Sequence, residues 1–270
     1  MQIASILSYL ESIAPPAYQE NYDNAGLLTG NKDWECSGVL VTLDATEAVV
    51  QEALSRKCNL IVAHHPIIFG GLKKITGRNY VEKTVIAAIK KDIAIYAIHT
   101  NLDNVLAGVN GRMASQLGLI NCRPLQPRED PYDRVPLPGP YPGVGAGLIG
   151  ELPDPLGEKE FLAKIKDVFR LELIRHTPLT GRLVKKCALC GGAGSFLISN
   201  ALQSEVNFFI TSDVKYHEFF DANDRLVIAD IGHFESEQFT VDLLFEVLQE
   251  KFRNFAVLKS DIKTNPVNYY

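Results

Sequence analysis

The apolar residues of this chain fall into two alternating rhythms. Residues 38–44 (GVLVTLD), 60–63 (LIVA) and 93–98 (IAIYAI) are short, near-continuous runs, the pattern of strands buried on both faces. Between and after them, residues 45–57, 80–91 and 109–117 space their apolar positions at helical intervals, as at Val49, Val50, Ala53 and Leu54, or Val81, Val85, Ala88 and Ile89. The first sixteen residues, MQIASILSYLESIAPP, read as an amphipathic helix rather than a signal peptide. Strands separated by helices predict a mainly parallel sheet covered on both sides.

The rhythm breaks over residues 123–158, which carry nine of the fourteen prolines and read as a proline-rich crossover. A second series follows: a helix at 159–169, strands near 171–174 and 185–189, a helix at 195–202 and a strand at 207–210. A short helix near 217–222, a strand at 226–229, a long helix at 236–252 and a strand at 255–259 complete it. The expected fold class is α/β, with two α/β units of mainly parallel or mixed sheets. Residues 1–125 plus 230–270 are expected to form one domain and residues 126–229 an inserted middle domain.

Chemistry gathers where the apolar runs end. GVLVTL runs into Asp44, LIVA into His64 and His65, IAIYAI into His99, NFFIT toward Asp213, and LVIADIG into His233. Parallel strands share one carboxyl edge, where ligands bind. His64-His65-Pro66 stands at a strand terminus turned by proline, where adjacent imidazoles can splay toward two ions; in a regular strand they would point to opposite faces. His99-Thr100-Asn101-Leu102-Asp103 adds an imidazole and a carboxylate, although an Asn-x-Asp loop also serves as a turn or cap. His233 and Glu237, four apart at a helix start, can face one point; Glu235 is the competing ligand, although a helix-start carboxylate reads better as a solvated cap. Imidazole nitrogen beside carboxylate oxygen suits zinc, iron or manganese better than calcium. The expectation is a dinuclear metal site at the carboxyl ends of strands between the two units.

Other motifs are weaker. Cys187 and Cys190, three apart in an expected strand, should face opposite sides and be structural. Gly145-Ala146-Gly147-Leu148-Ile149-Gly150 matches a dinucleotide pattern in letters but follows Pro-Gly rather than a strand. Gly191-Gly192-Ala193-Gly194-Ser195 follows a strand and opens a helix, where phosphate binding and tight strand–helix packing explain it equally well. Asp213 and His217 read as a cap and a surface residue, His176 as structural, and Lys73, Lys74 and Arg78 as a solvated loop able to attract an anion.

Composition narrows the class. With 32 acidic and 27 basic side chains the net charge is −5, which argues against nucleic acid as the main partner. No run reaches the roughly 18 apolar residues of a membrane span. Five scattered cysteines fit reduced thiols and a cytoplasmic location.

Tyr22-Asp23-Asn24-Ala25-Gly26-Leu27, His64-His65-Pro66-Ile67-Ile68-Phe69, His99-Thr100-Asn101-Leu102-Asp103, Cys190-Gly191-Gly192 and Gly232-His233-x-x-x-Glu237 occur in the order seen in the GTP cyclohydrolase 1 type 2 homologues, the Nif-three-like family, which this chain resembles from its first helix to its last. The resemblance implies two divalent ions (zinc, iron or manganese) held by His64, His65, Asp103, His233 and Glu237, with Glu237 bridging. It also implies a homohexameric ring. Thr211-Ser212-Asp213 departs from the family's frequent Thr-Gly-Asp, and the middle domain is short. The leading expectation is a metal-dependent hydrolase acting on GTP or a related nucleotide or cyclic amide, with His99 the candidate catalytic proton shuttle. For GTP the electrophile would be C8 of the guanine ring, with ring opening and formate loss. The rival class is a metal-binding scaffold or regulatory interaction protein, and turnover separates the two.

Overall fold

The computed structural model describes residues 1–129 and 143–270, so five of the crossover's prolines lie outside the described residues. The described chain divides into two compact units, one of residues 1–102 and 240–268, the other of residues 103–129, 143–239 and 269–270. Both are α/β, as expected.

In the first unit the helices are α1 (Ile3–Ile13), α2 (Glu47–Ser55), α3 (Tyr80–Lys90) and, after the second unit, α9 (Thr240–Lys251). Its strands are β1 (Gly26–Thr29), β2 (Val39–Thr42), β3 (Leu60–Ala63), β4 (Ala94–Ala97) and β11 (Val257–Lys259), in the order β1-β4-β3-β2-β11. β2, β3, β4 and β11 run parallel, while β1 pairs antiparallel on β4. Every residue of β2, β3 and β4 is buried, which explains their unbroken apolar reading. Helices α2 and α3 start where Thr46 and Asn79 side chains accept the backbone N–H groups of Val49 and Glu82. Their inner faces join Leu40, Ile61 and Ile95 in one core.

The second unit holds α5 (Val109–Leu117), α6 (Glu158–Val168), α7 (Ile198–Gln203) and α8 (His233–Glu237). Its strands are β5 (Ile120–Pro127), β6 (Gly145–Gly157), β7 (Arg175–His176), β8 (Leu183–Ala193), β9 (Phe208–Ser212) and β10 (Val227–Asp230), in the order β5-β6-β8-β9-β10-β7. β8, β9 and β10 are parallel; β5, β6 and β7 are antiparallel to their neighbours. The single turn α4 (Thr100–Asp103) ends on the first residue of this unit.

Three expectations need correction. The described parts of the crossover are strands, not linker. β5 tolerates Pro124 and Pro127 because it is an edge strand, and the prolines of β6, Pro153 and Pro155, fall where its register on β8 is interrupted between Glu151 and Leu156. Residues 171–174 are not a strand; the edge pairing on β10 is made by Arg175 and His176. The long helix expected at 236–252 is two, α8 and α9. The break falls where the Gln238 amide donates to Phe169 O and Glu235 O, at 3.1 and 3.0 Å.

The glycine run at 145–150 lies within β6, not at a strand-to-helix turn. A Cβ at Gly145 would collide with the backbone of Gln126 and Pro127 on β5, so these glycines serve close strand approach. Among the described residues no helix is long and apolar enough to cross a membrane.

Candidate metal centre

In the first unit, three adjacent parallel strands deliver their terminal residues to one edge: Asp44 after β2, His64 and His65 after β3, His99 after β4. The antiparallel register Gly26↔Ala97 between β1 and β4 brings the segment before β1, with Asp23, to that same edge. His64, His65 and His99 each offer a ring nitrogen within 4.8 Å of the others. Their ring centroids lie 4.9 to 5.3 Å apart.

Each of these imidazoles is held through Nδ1. His64 Nδ1 lies 2.8 Å from Ile98 O, His65 Nδ1 2.8 Å from Asp44 Oδ1, and His99 Nδ1 2.8 Å from Asp23 Oδ1. A carbonyl or an ionised carboxylate can only accept, so Nδ1 donates and the lone pair of the neutral ring stands on Nε2. This is the arrangement of metal-ligating histidines, whose other nitrogen donates to a carbonyl or carboxylate that fixes ring and tautomer.

Asp23 does more than orient His99. Its carboxylate also takes Thr100 N at 3.1 Å, Thr100 Oγ1 at 2.5 Å and Asn24 N at 2.7 Å, and its side chain is fully buried. Burial alone would raise its pKa. The bonds from His99 and Thr100, with the electrostatic interaction with His99 and the Asn24 N–H, outweigh that and bring the carboxyl to about 2. Asp44 is likewise lowered: burial raises it, but His65 and the hydroxyl of Thr264 prevail.

The second unit builds a carboxylate–imidazole cluster by the same geometry. β9 and β10 are parallel neighbours, so Asp213 after one meets His233 after the other, Oδ2 to Nδ1 at 2.6 Å. One helical turn on, Glu237 Oε2 lies 3.1 Å from His233 Nε2 and Glu237 is 3% exposed. Burial would lower the His233 pKa, but hydrogen bonds and charge from Asp213 and Glu237 raise it to about 11. The Asp213 carboxyl is lowered, mainly by its bond to His233. Asp103 approaches the same region, because its charge and that of Glu237 add to burial in pushing the Cys190 thiol up.

Glu237 is seated by the glycine turn at the end of β8. Gly192 has φ +64°, and a Cβ there would collide with Glu237 Oε1. Gly191 N donates to Asn110 Oδ1 at 3.0 Å and Gly192 N to Ser236 Oγ at 2.9 Å. The amides of Gly191 and Gly192 are therefore spent on the protein, and the turn packs tightly against Glu237. Glu235 is not the solvated cap expected: the Tyr269 hydroxyl donates to it, and with burial this raises the Tyr269 pKa. Asp213, read as a cap, instead orients His233.

The cysteines behave as expected of a structural pair. Cys187 is fully buried and its thiol is pushed up to about 12 by burial, with Cys122 and Lys164 nearby, whereas Cys190 sits against the carboxylates. None of the five cysteines is in a disulfide.

In the first unit, His64, His65 and His99 form a group that could hold a metal ion; in the second, His233 and the buried Glu237 offer donors of the same kind. Sequence reading brings out Asp44 and Asp213 at strand ends but not their role in orienting His65 and His233. Asp23 appeared only inside a motif, and nothing local signalled that it serves His99.

A family model for Duf34/NIF3 (NGG1p interacting factor 3) matches residues 1–266. Among individual relatives, the GTP cyclohydrolase 1 type 2 homolog of Lactococcus lactis is 32% identical, with 98% of each chain covered. NIF3-like protein 1 of Drosophila melanogaster is 30% identical over 88% of this chain and 78% of its own. The solved structure of a Bacillus cereus protein related to NIF3 superposes with a TM-score of 0.91 at 26% identity, covering 100% of this chain and 99% of the other. The sequence motifs, the two mixed sheets and these matches agree: the chain belongs to the Duf34/NIF3 (NGG1p interacting factor 3) family.

Proposed function

We propose that this chain is a metal-dependent hydrolase that holds two divalent ions through His64, His65, Asp103, His233 and Glu237 and acts on a nucleotide or a related cyclic amide. The observation that carries this reading is the shared orientation of four histidines, each fixed through Nδ1 by a carbonyl or carboxylate. Divalent ions bound by such residues act as Lewis acids and lower the pKa of water toward ~7. Asp44 and Asp213 keep His65 and His233 in a ligating orientation. Glu237 supplies negative charge from a buried position, and its carboxylate is the proposed bridge. His99, anchored by Asp23, is the proposed proton shuttle: with Nδ1 engaged, Nε2 is the atom that gives or takes the proton.

The nucleotide class rests on relatives named GTP cyclohydrolase 1 type 2 homolog, such as those of Lactococcus lactis and Clostridium acetobutylicum. The donor chemistry favours zinc, iron or manganese. We extend the proposal to a hexameric ring of this chain, read by mass under native conditions, and to a cytoplasmic location, supported by the free thiols.

The test is a turnover screen on metal-loaded protein over nucleotides, phosphoesters and cyclic amides. The reading expects turnover with at least one class, lost in His64→Ala. Fully loaded, folded protein with no turnover on any class would remove the hydrolase and leave a metal-binding scaffold. His99→Ala separates the shuttle from a ligand: a shuttle variant keeps its metal and loses turnover, whereas a ligand variant loses metal.

A further inference from the structure

We propose that Thr264, in the C-terminal segment, is a positioning residue that holds His65 in its metal-ligating orientation by fixing the carboxylate of Asp44. The inference rests on the reading of His65 as a metal ligand and assigns a role in that site to a segment outside the regular structure.

Strand pairing sets the course of the C-terminal segment. β11 runs parallel to β2 with Lys259 opposite Val41, and Ser260 N donates to Val41 O at 2.9 Å. The chain beyond β11 therefore travels beside the end of β2, toward Asp44. Its departure is clamped: Glu52 accepts Ser260 Oγ at 2.5 Å and Asp261 N at 2.9 Å, and Arg56 donates to Lys259 O at 2.8 Å. Three residues past the clamp, Thr264 Oγ1 donates to Asp44 Oδ2 at 2.6 Å, joining positions 220 apart.

Asp44 divides its oxygens between two donors. Oδ1 takes His65 Nδ1 and Oδ2 takes Thr264 Oγ1. The terminal torsion of an aspartate is broad, and one bond to a ring nitrogen leaves the carboxylate plane free to turn. A second donor on the opposite oxygen removes that freedom, so the acceptor presented to His65 has a fixed direction. About a third of the Asp44 side chain is exposed, and without Thr264 its Oδ2 would face water.

Apolar packing does not account for the course of the segment. Ile262 and Val267 are 39% and 53% exposed, and Lys263 and Pro266 are exposed, whereas Thr264 is half-buried. The half-buried residues here are polar, Thr264 and Asn265, and the threonine hydroxyl is directed at Asp44. Loss of an outer partner that bonds directly to a ligating histidine typically costs 10–100-fold in metal affinity. One bond further out, an effect of roughly 3–10-fold is expected on the same grounds.

The experiment uses the full chain and zinc alone as probe, titrated against a competing chelator. Thr264→Val keeps the shape and removes the hydroxyl; Thr264→Ser keeps the hydroxyl; His65→Ala removes the ligand. The proposal expects His65→Ala to lose a zinc equivalent and Thr264→Val to weaken zinc binding roughly 3–10-fold. Thr264→Ser should bind and melt as the parent does, whereas metal-free Thr264→Val, having lost a hydrogen bond to a carboxylate, should melt somewhat lower while remaining folded. If His65→Ala loses zinc while Thr264→Val binds normally, the positioning role is overturned and the metal site stands. If Thr264→Val and Thr264→Ser weaken binding equally with lowered melting temperatures, segment packing and not the hydroxyl is responsible, which also overturns it. If His65→Ala keeps its zinc, the site assignment and this inference fall together.

Discussion

His99 and Asp23, 76 residues apart, meet through a 2.8 Å hydrogen bond in which the imidazole donates from Nδ1 to a carboxylate with no solvent exposure. One acidic group thus sets the orientation of the proposed proton shuttle and secures the first turn of α4 through Thr100. Losing its charge should loosen both.

The Asp23 carboxyl lies at about 2 in the folded chain, below the ordinary carboxylate value. A lowered folded pKa contributes stability that is present above the unfolded value and is lost as pH falls through the folded one. The window is therefore about pH 4 down to pH 2, and the contribution is on the order of 2 kcal/mol. Denaturant melts across that range should show this loss in the parent and a flatter profile in Asp23→Asn. Parallel profiles would remove Asp23 as the source.

His233 is raised to about 11 between Asp213 and Glu237, so in metal-free protein its ring should remain protonated at pH 8. A raised folded pKa gives stability fully present below the unfolded value of ~6.5 and lost as pH climbs toward 11. Histidine NMR of the metal-free chain should show an imidazolium through neutral pH, with a lower pKa in Asp213→Asn. Metal binding at Nε2 would displace that proton, so affinity should rise with pH. A His233 ring neutral at pH 7 in metal-free protein would contradict the geometry.

Glu237→Gln should lose at least one metal equivalent and essentially all turnover while remaining folded, since Gln lacks the charge and an equivalent second oxygen. Glu235→Gln removes the same charge from the same short helix and disturbs the contact with Tyr269, at about 1 kcal/mol or less. Elemental analysis of both variants reads the difference. Metal lost from the Glu235 variant alone would mean that the wrong carboxylate has been assigned.

Gly192→Ala tests the turn that seats Glu237. At φ +64° and against Glu237 Oε1, an added methyl should cost ~1–3 kcal/mol in backbone strain alone. It should also lower metal occupancy by displacing the carboxylate. Wild-type melting and metal content together would show that the turn does not set Glu237.

Cys187→Ser should leave metal content unchanged and cost ~1–3 kcal/mol, because it places a hydroxyl in a fully buried position. Calorimetry and metal analysis on one preparation suffice. A missing metal equivalent in folded protein would make this thiol a ligand.

The sequence by itself determined β2, β3 and β4 and the chemistry at their ends. These strands are buried on both faces, so their composition is largely apolar and the acidic and imidazole residues that follow, Asp44, His64, His65 and His99, stand out without any structure. Glu237 follows His233 by one helical turn, a relation that is also local. Tertiary structure decided what each imidazole leans on. The acceptors lie 20 residues away for His233, 21 for His65 and 76 for His99, and Thr264 lies 220 from Asp44; no periodicity links such positions, and only strand order makes them neighbours. The same cause explains β5 and β6. Their prolines signal a linker locally, and only an edge place in the sheet and an interrupted register make a strand of each. Gly192 likewise reads as a phosphate-binding turn or as close packing, equally, until the Glu237 carboxylate occupies the space where a side chain would stand.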